Sequence, residues 1–330
     1  MKAIILVAGA GTNLRPHTYT QPKALMPIAG KPILSFIVDQ LHSGGIHEFI
    51  FIVGYLGEKI QEYVTHTYPH LQCHFVYQTE RKGTGHGLLM AKDIVNNDEV
   101  FVALGDTICD FDIQEVIQTP FCMLGVKKVD DPRRFGVAEL SEDDFINHVI
   151  EKPAIPRSNM ALVGLYKIKE SHALFECLQY IMDANIRSNG DFNLTDALDC
   201  MLKKGLRFKS FRVKHWYDCG RKETLLESNA ILLKKYGGQI HDSVINENAI
   251  IIPPVSIGAG VRLVNSIVGP HVSIGANSVI NKSIVRDSIT GSYANLYEVV
   301  LDNSLIGSDA SAKGLSRSLN IGDNTEIDFG

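Results

Sequence analysis

Residues 2–16 read Lys2-Ala3-Ile4-Ile5-Leu6-Val7-Ala8-Gly9-Ala10-Gly11-Thr12-Asn13-Leu14-Arg15-Pro16, and Pro22-Lys23-Ala24-Leu25-Met26-Pro27 follows shortly after. The unbroken apolar run 3–8 is what a strand covered on both faces of a parallel sheet requires, because no residue of it meets water. A loop with Gly9, Gly11, Pro16, Pro22 and Pro27 comes next. Glycines directly after a buried strand let backbone N–H groups approach a phosphate chain. Taken alone, Gly9-x-Gly11 suits a plain turn equally well. Two phosphate-loop types are excluded by the residues themselves. A dinucleotide fingerprint requires glycine at position 14, which is Leu14, and a Walker loop requires a Gly-Lys pair there, so a Rossmann dehydrogenase is set aside.

Working outward, Ile33, Leu34, Ile37, Val38 and Leu41 share one helical face, stopped by Gly44-Gly45. The runs 49–53, 73–77 and 100–104 repeat the buried-strand pattern, and the last ends at Gly105-Asp106. Strands alternating with helices of this length imply right-handed crossovers and an open sheet with helices on both faces. Ligands of such sheets bind beyond the C-terminal strand ends, where loops 9–15, 78–85 and 105–107 emerge. From 121 to 218 the pattern mixes strands near 121–128, 135–140, 145–150, 161–168 and 207–213 with helices near 170–184 and 193–204. A last helix is expected over 221–236. Past about 240 the character changes: Ile257-Gly258, Val268-Gly269, Ile274-Gly275 and Ile306-Gly307 recur among Ser-aliphatic pairs, and charge is sparse. This imperfect hexapeptide rhythm predicts a left-handed parallel β-helix, with a turn-rich β-sandwich as the alternative. The expected fold is therefore α/β: a Rossmann-like open sheet, mixed but mainly parallel, over 1–236, then a β-helix over 240–330.

The 330 residues exceed what one ordinary domain holds, and 45% hydrophobic with 21% charged residues is globular composition. Thirty-two basic residues against 37 acidic give a net charge of −5 with no basic block, so nucleic-acid coating and polybasic membrane binding are excluded as expectations. The six cysteines form no C-x-x-C pair, which argues against a zinc site or a disulfide framework and favours a reducing cytoplasm. No apolar run is long enough to span a bilayer.

The loop resembles the G-x-G-T-R-L-x-P-x-T…P-K-x-x-x-P signature of sugar-1-phosphate nucleotidylyltransferases. The resemblance continues through Gln78, Gly83-Thr84-Gly85-His86-Gly87, Leu104-Gly105-Asp106, Arg134-Phe135-Gly136-Val137, Glu151-Lys152-Pro153, Val163-Gly164-Leu165-Tyr166, Leu194-Thr195-Asp196 and Trp216-Tyr217-Asp218-Cys219-Gly220. It extends to the long form of glucose-1-phosphate thymidylyltransferases, which carries a C-terminal left-handed β-helix. The resemblance implies attack by a sugar-1-phosphate oxygen on the α-phosphorus of dTTP or UTP, releasing pyrophosphate, with glucose-1-phosphate as the expected sugar. It nominates Asp106 and Asp218 as Mg2+ ligands and Lys23 as the cation at the α-phosphate. Ala8, Gly9, Gly11, Thr12, Gln78, Gly83 and Thr84 would hold the nucleotide, and Gly136, Glu151, Lys152 and Gly164 the sugar phosphate. Gln78 offers an amide donor and an acceptor for the N3/O4 edge of uracil or thymine. Read singly, Asp106 also fits a turn or helix cap, Asp218 a salt-bridged acid, and His17 and His86 loop histidines.

One position departs from the signature: Asn13 stands where the family carries a phosphate-binding arginine. Losing such a contact costs about a hundredfold in turnover. Arg15 compensates if the loop is extended, because residues i and i+2 then share a side. The departure leaves a catalytically weakened sugar-nucleotide-binding or regulatory homologue as an alternative function. A second alternative is bifunctionality, with sugar acyl transfer in the β-helix, for which His241 and His271 are the available bases. A cytoplasmic homo-oligomer, with the repeat segment making oligomer contacts or bracing the catalytic domain, completes the expectation.

Overall fold

The computed structural model describes residues 1–314; the expected end of the β-helix, 315–330, lies outside them. The chain divides into two compact units, one of residues 1–26 and 31–228, the other of 27–30 and 229–330. The division falls inside the last helix rather than after it.

In the first unit, strands β1 (Lys2–Val7), β2 (Glu48–Val53), β3 (Gln72–Tyr77) and β4 (Val100–Leu104) alternate with α1 (Ile33–Ser43) and α2 (Gly57–Thr67). A short helix, α3 (Thr84–Leu89), and the ribbon strand β5 (Thr107–Asp110) follow β3 and β4 respectively. Then come β6 (Cys122–Lys128), β7 (Gly136–Leu140), β8 (Ile146–Glu151), β9 (Met160–Ile168), α4 (Ser171–Asp183), α5 (Leu194–Lys203), β10 (Phe208–Arg212), β11 (His215–Asp218) and α6 (Lys222–Tyr236). The strand order is β8-β7-β9-β4-β1-β2-β3, with β6 joined to β9 and β10. Pairing is parallel across β4-β1-β2-β3 and antiparallel where β9 meets β4, so the sheet is mixed as expected.

The inner strands β1, β2 and β4 are buried on both faces along their apolar runs, whereas the edge strand β3, with Gln72 and His74, is partly exposed. Ile4, Ile5, Phe49, Ile50, Phe51, Phe101 and Val102 are all fully buried. Each such side chain contributes about 1.5–3 kcal/mol on leaving water. Register aligns the strand ends that matter: Leu6 opposes Leu104, and Val7 opposes Val53. The chain continues from this edge under backbone control, with Gly105 N–H donating to Leu6 and Gln78 N–H to Val53. Loops 8–15, 78–83 and 105–106 therefore leave one rim of the sheet.

From residue 239 onward every described sheet is parallel. Strands 239–240, 255–257, 272–274, 289–290 and 305–306 stack in one sheet, and strands 245–247, 262–264, 279–281, 295–297 and 311–313 in another. Strands beginning at 250, 267, 284 and 300 form the third. One coil is 17 residues where Asn248 meets Asn265 and 16 where His271 meets Asp287. This is a left-handed parallel β-helix, and the sandwich alternative fails because no antiparallel pair occurs among its described strands. Val261, Leu263, Val268, Val272, Ile280, Val285 and Leu296 fill the prism. Asn248, Asn265, Lys282 and Glu298 take left-handed backbone at successive corners. Asn229 is fully buried with its amide satisfied: Oδ1 accepts from Ala29 N–H at 2.8 Å and Ser273 Oγ at 2.7 Å, while Nδ2 donates to the His271 carbonyl at 3.0 Å. A buried amide left unpaired would cost more than it contributes, so this bonding explains an asparagine in the core.

Candidate active site

Two adjoining cavities open at the common rim of the first unit's sheet. The first, about 430 Å³, is lined by Ala8, Gly9, Gly11, Thr12, Asn13, Lys23, Gln78, Gly83, Thr84 and Asp106, with Arg81, Asp191 and Gly220. The second, about 400 Å³, is lined by Arg134, Gly136, Glu151, Lys152, Tyr166, Thr195, Trp216 and Asp218, among others. Gly83, Thr84, Leu104, Asp106 and Asp191 line both, so Asp106 stands at the junction.

Local sequence explains how the first wall is built. Gly11 sits at φ +60°, and a Cβ there would fall 2.9 Å from Lys23 Cβ. Only glycine accepts that backbone so close to the Lys23 segment. Thr18 Oγ1 donates to the Gly11 carbonyl at 2.8 Å and ties the loop down. Lys23 Nζ then reaches Asp106 Oδ2 at 2.6 Å, with the lysine 17% and the aspartate 44% exposed. Opposite, Gly85 N–H donates to the Phe192 carbonyl and Phe192 N–H to the Lys82 carbonyl, while Thr84 Oγ1 accepts from Leu194 N–H at 3.0 Å. This stitching holds Asp191 against Gly83.

Asp218 ends β11, whose antiparallel register with β5 places it opposite Thr107, next to Asp106 in sequence. Its Oδ1 accepts from Gly220 N–H at 2.8 Å. Asp106 keeps only a 3.3 Å contact from Thr107 Oγ1 on its other oxygen. The donor set is therefore hard oxygen from two carboxylates. Among the described residues no group of three or more His, Cys, Asp or Glu side chains is placed to hold an ion. That arrangement fits Mg2+, which takes one or two carboxylates and completes its shell with water and phosphate oxygens. Cys219 adjoins the pair in sequence, and burial pushes its thiol pKa well up.

In the second cavity, Thr195 Oγ1 donates to Glu151 Oε2 at 2.7 Å, and Lys152 Nζ lies 3.5 Å from Glu151 Oε1. Lys152 has φ +43°, a left-handed conformation that costs about 1–3 kcal/mol in a non-glycine residue and clusters at ligand sites. Its N–H is anchored by the Phe135 carbonyl. Beyond Thr195, Asp196 has a raised pKa because burial opposes its charge; Ser188 Oγ donates to one oxygen, and the other is buried without a partner.

Two expectations need correction, and one needs refinement. Arg15 does not line either cavity; its guanidinium lies 4.9 Å from the Tyr19 ring centre and is exposed. The loop is not extended: Thr12–Leu14 form a 3-10 turn, so residues 13 and 15 do not share a side. Gly164 also lines neither cavity. It sits at φ +83° in a bulge of β9, and a Cβ would fall 2.6 Å from the Leu104 side chain, so its requirement is internal packing. Gln78 lines the cavity as expected, yet its Nε2 already donates to the Gly83 carbonyl at 3.0 Å and meets His86 Nδ1 at 3.0 Å. His86 is thus a partner of Gln78 and no loose loop histidine. Sequence reasoning assigned no role to Arg81, Arg134, Asp191, Thr195 or Trp216. The only available signal was that Arg134, Thr195 and Trp216 fall within the family blocks.

Residues 2–235 match the nucleotidyl transferase family model. The chain belongs to the nucleotidyl transferase family. It is 36% identical over 260 residues to the bifunctional protein GlmU of Methanocaldococcus jannaschii, covering 76% of this chain and 60% of the relative, and so spans about three fifths of that protein. It is 30% identical over 332 residues to a glucose-1-phosphate thymidylyltransferase of Streptomyces griseus, covering 93% and 92%. A solved putative glucose-1-phosphate thymidylyltransferase from Bacillus anthracis matches with TM-score 0.60 and 28% identity, over 70% of this chain and 94% of that one. UDP-glucose pyrophosphorylase in complex with UDP-glucose has the same fold, with TM-score 0.62 at 23% identity, over 71% and 98%. Among the described residues no helix is long and apolar enough to cross a membrane, and all six cysteines are free.

Proposed function

We propose that this chain transfers a nucleotidyl group from dTTP or UTP to a sugar-1-phosphate, with glucose-1-phosphate as the acceptor, giving a nucleotide sugar and pyrophosphate. The observation that carries the reading is the pair of cavities meeting at Asp106, one walled by the glycine loop, Lys23 and Gln78, the other by Glu151 and Lys152. A nucleotide in the first and a sugar phosphate in the second bring acceptor oxygen and α-phosphorus together at the junction. In-line phosphoryl chemistry of this kind needs positioning and charge neutralisation more than covalent help. Lys23 supplies positive charge on the nucleotide side and Lys152 on the sugar-phosphate side, and Glu151 accepts sugar hydroxyls. Asp106 and Asp218 would hold Mg2+, which when bound offsets charge on the α-phosphate and leaving group. Residues 1–236 form the catalytic domain in this reading, and the β-helix serves self-association, which light scattering tests.

A matrix of nucleoside triphosphates against sugar-1-phosphates with pyrophosphate readout tests the proposal. UTP and dTTP with glucose-1-phosphate are expected to outperform ATP and GTP; absence of release with every pair refutes it. Asn13 on the wall of the first cavity favours a slow enzyme. The likeness to a bifunctional protein raises acyl transfer as a second reading, and His271, paired through Nδ1 with Asp287 at 2.7 Å, is its best-supported base. Acetyl-CoA turnover decides that reading.

A further inference from the structure

Gln78 is 6% exposed, and its amide can be oriented from its neighbours. The Gly83 carbonyl can only accept, so the amide atom 3.0 Å from it is nitrogen. The second hydrogen on that nitrogen faces His86 Nδ1 at 3.0 Å, which must be the bare nitrogen of a neutral Nε2–H tautomer. Both amide hydrogens are then consumed inside the protein. Oε1 makes no hydrogen bond among the described residues and is not among the buried atoms lacking a partner, so it is the accessible end of the amide. Without the His86 acceptor, one amide hydrogen is released and the group is free to turn.

We propose that His86 is a positioning residue for base selection: by accepting from Gln78 it leaves that side chain a pure acceptor, so the cavity favours a base with a ring N–H, such as uracil or thymine, over cytosine. The proposal rests on the functional reading above, in which Gln78 meets the base. A cytosine presents an acceptor at the ring nitrogen where uracil presents a donor, and two facing acceptors repel. Protonated His86 donates from both nitrogens and cannot accept, so selectivity is tied to its neutral form. The groups around it favour that form: burial and the Lys82 charge lower its pKa, opposed by Glu80, and Glu80 is itself paired with Lys82.

The test is calorimetric titration of UTP and of CTP onto the full-length chain across pH. The UTP-to-CTP affinity ratio cancels phosphate ionisation, which the two ligands share; protonation of the cytosine ring in acid is common to every variant, so the His86 contribution is the difference between the variants' pH profiles. Wild type is expected to lose about tenfold of that ratio beyond the common change between about pH 7.5 and about pH 5, as His86 protonates. His86→Ala is expected to show a ratio about five- to tenfold lower at neutral pH and flat with pH apart from the common change, by loss of one hydrogen bond. His86→Gln, whose amide oxygen accepts but does not titrate, is expected to restore the neutral-pH ratio and remain equally flat. A His86→Ala protein that keeps both the wild-type ratio and its pH profile overturns the proposal while UTP binding stands. If His86→Ala does not fold, a His86→Gln protein that retains the wild-type pH profile overturns it equally. Wild type that binds neither nucleotide overturns the functional reading and the proposal with it.

Discussion

Replacing Asp106 by asparagine separates a catalytic carboxylate from a structural one. The substitution keeps shape and removes charge at the junction of the two cavities, where Asp106 Oδ2 holds Lys23 Nζ at 2.6 Å. On the stability side, the partners are 44% and 17% exposed, so solvent screens the pair and its contribution is about 1 kcal/mol or less. For a domain of this size that is a fall in Tm of less than about 4 °C. On the activity side, asparagine donates where the ion needs an anionic oxygen, and it leaves Lys23 with no fixed partner while the ligand approaches. Loss of one such electrostatic element costs about a hundred- to a thousandfold in turnover. Pyrophosphate release under saturating Mg2+, alongside a thermal melt, reads both quantities on one sample. A variant retaining more than about a tenth of wild-type turnover refutes the assignment. So does a fall in Tm beyond about 8 °C, because the residue would then be a structural ion pair worth more than its exposure allows.

Further outcomes follow from the same geometry. Asn13→Arg is expected to raise turnover about tenfold or more by restoring charge to the wall of the first cavity, and unchanged pyrophosphate release counts against it. Arg15→Ala should leave kcat/KM within about twofold, since its guanidinium lies over Tyr19 and outside both cavities; a tenfold loss would return Arg15 to the site. Asp196→Asn should raise Tm at neutral pH by about 2 °C, a gain that vanishes in acid. The sign follows from the raised folded pKa: the folded protein holds the Asp196 proton more tightly than the unfolded chain, so this residue favours folding in acid and opposes it once pH rises through the folded value. Ile280→Ala, at a fully buried position of the β-helix core, is expected to cost about 2–5 kcal/mol and lower the unfolding temperature of the second unit; an unchanged melt contradicts the packing described.

The parts of this molecule legible in sequence are those encoded by short-range pattern. Apolar runs give β1, β2, β3 and β4, and their parallel register forces the loops after β1, β3 and β4 to one rim, so Gly11, Gln78 and Asp106 were readable as neighbours although far apart in the chain. Asp218 was legible only through its family block, because its place beside Asp106 depends on the β5–β11 ribbon, a pairing between segments 107–110 and 215–218 that no local period announces. The Arg15 expectation failed for a definable reason: proximity in sequence was converted to proximity in space through an assumed extended loop, and one 3-10 turn cancels it. Gly164 failed differently, since a glycine demanded by a bulge and by Leu104 looks identical in sequence to one demanded by a ligand.

The charge inventory of the site also changes once the fold is known. With a net charge of −5, the protein attracts no polyanion by its overall field, so neutralisation falls to cations at the cavities. Lys23 is already paired with Asp106, and Lys152 lies beside Glu151. Arg81 is on the first cavity's wall with no ion pair among the described residues, and its neighbour Lys82 pairs with Glu80. Positive charge absent at position 13 is thus present on the opposite wall, displaced from the glycine loop to the loop after β3. In the proposed reaction, ligand exchange at the lysines and not added net charge would let a site this balanced take two phosphorylated substrates: each phosphate would replace a carboxylate as the lysine's partner, and Asp106 would then be free to hold a divalent ion.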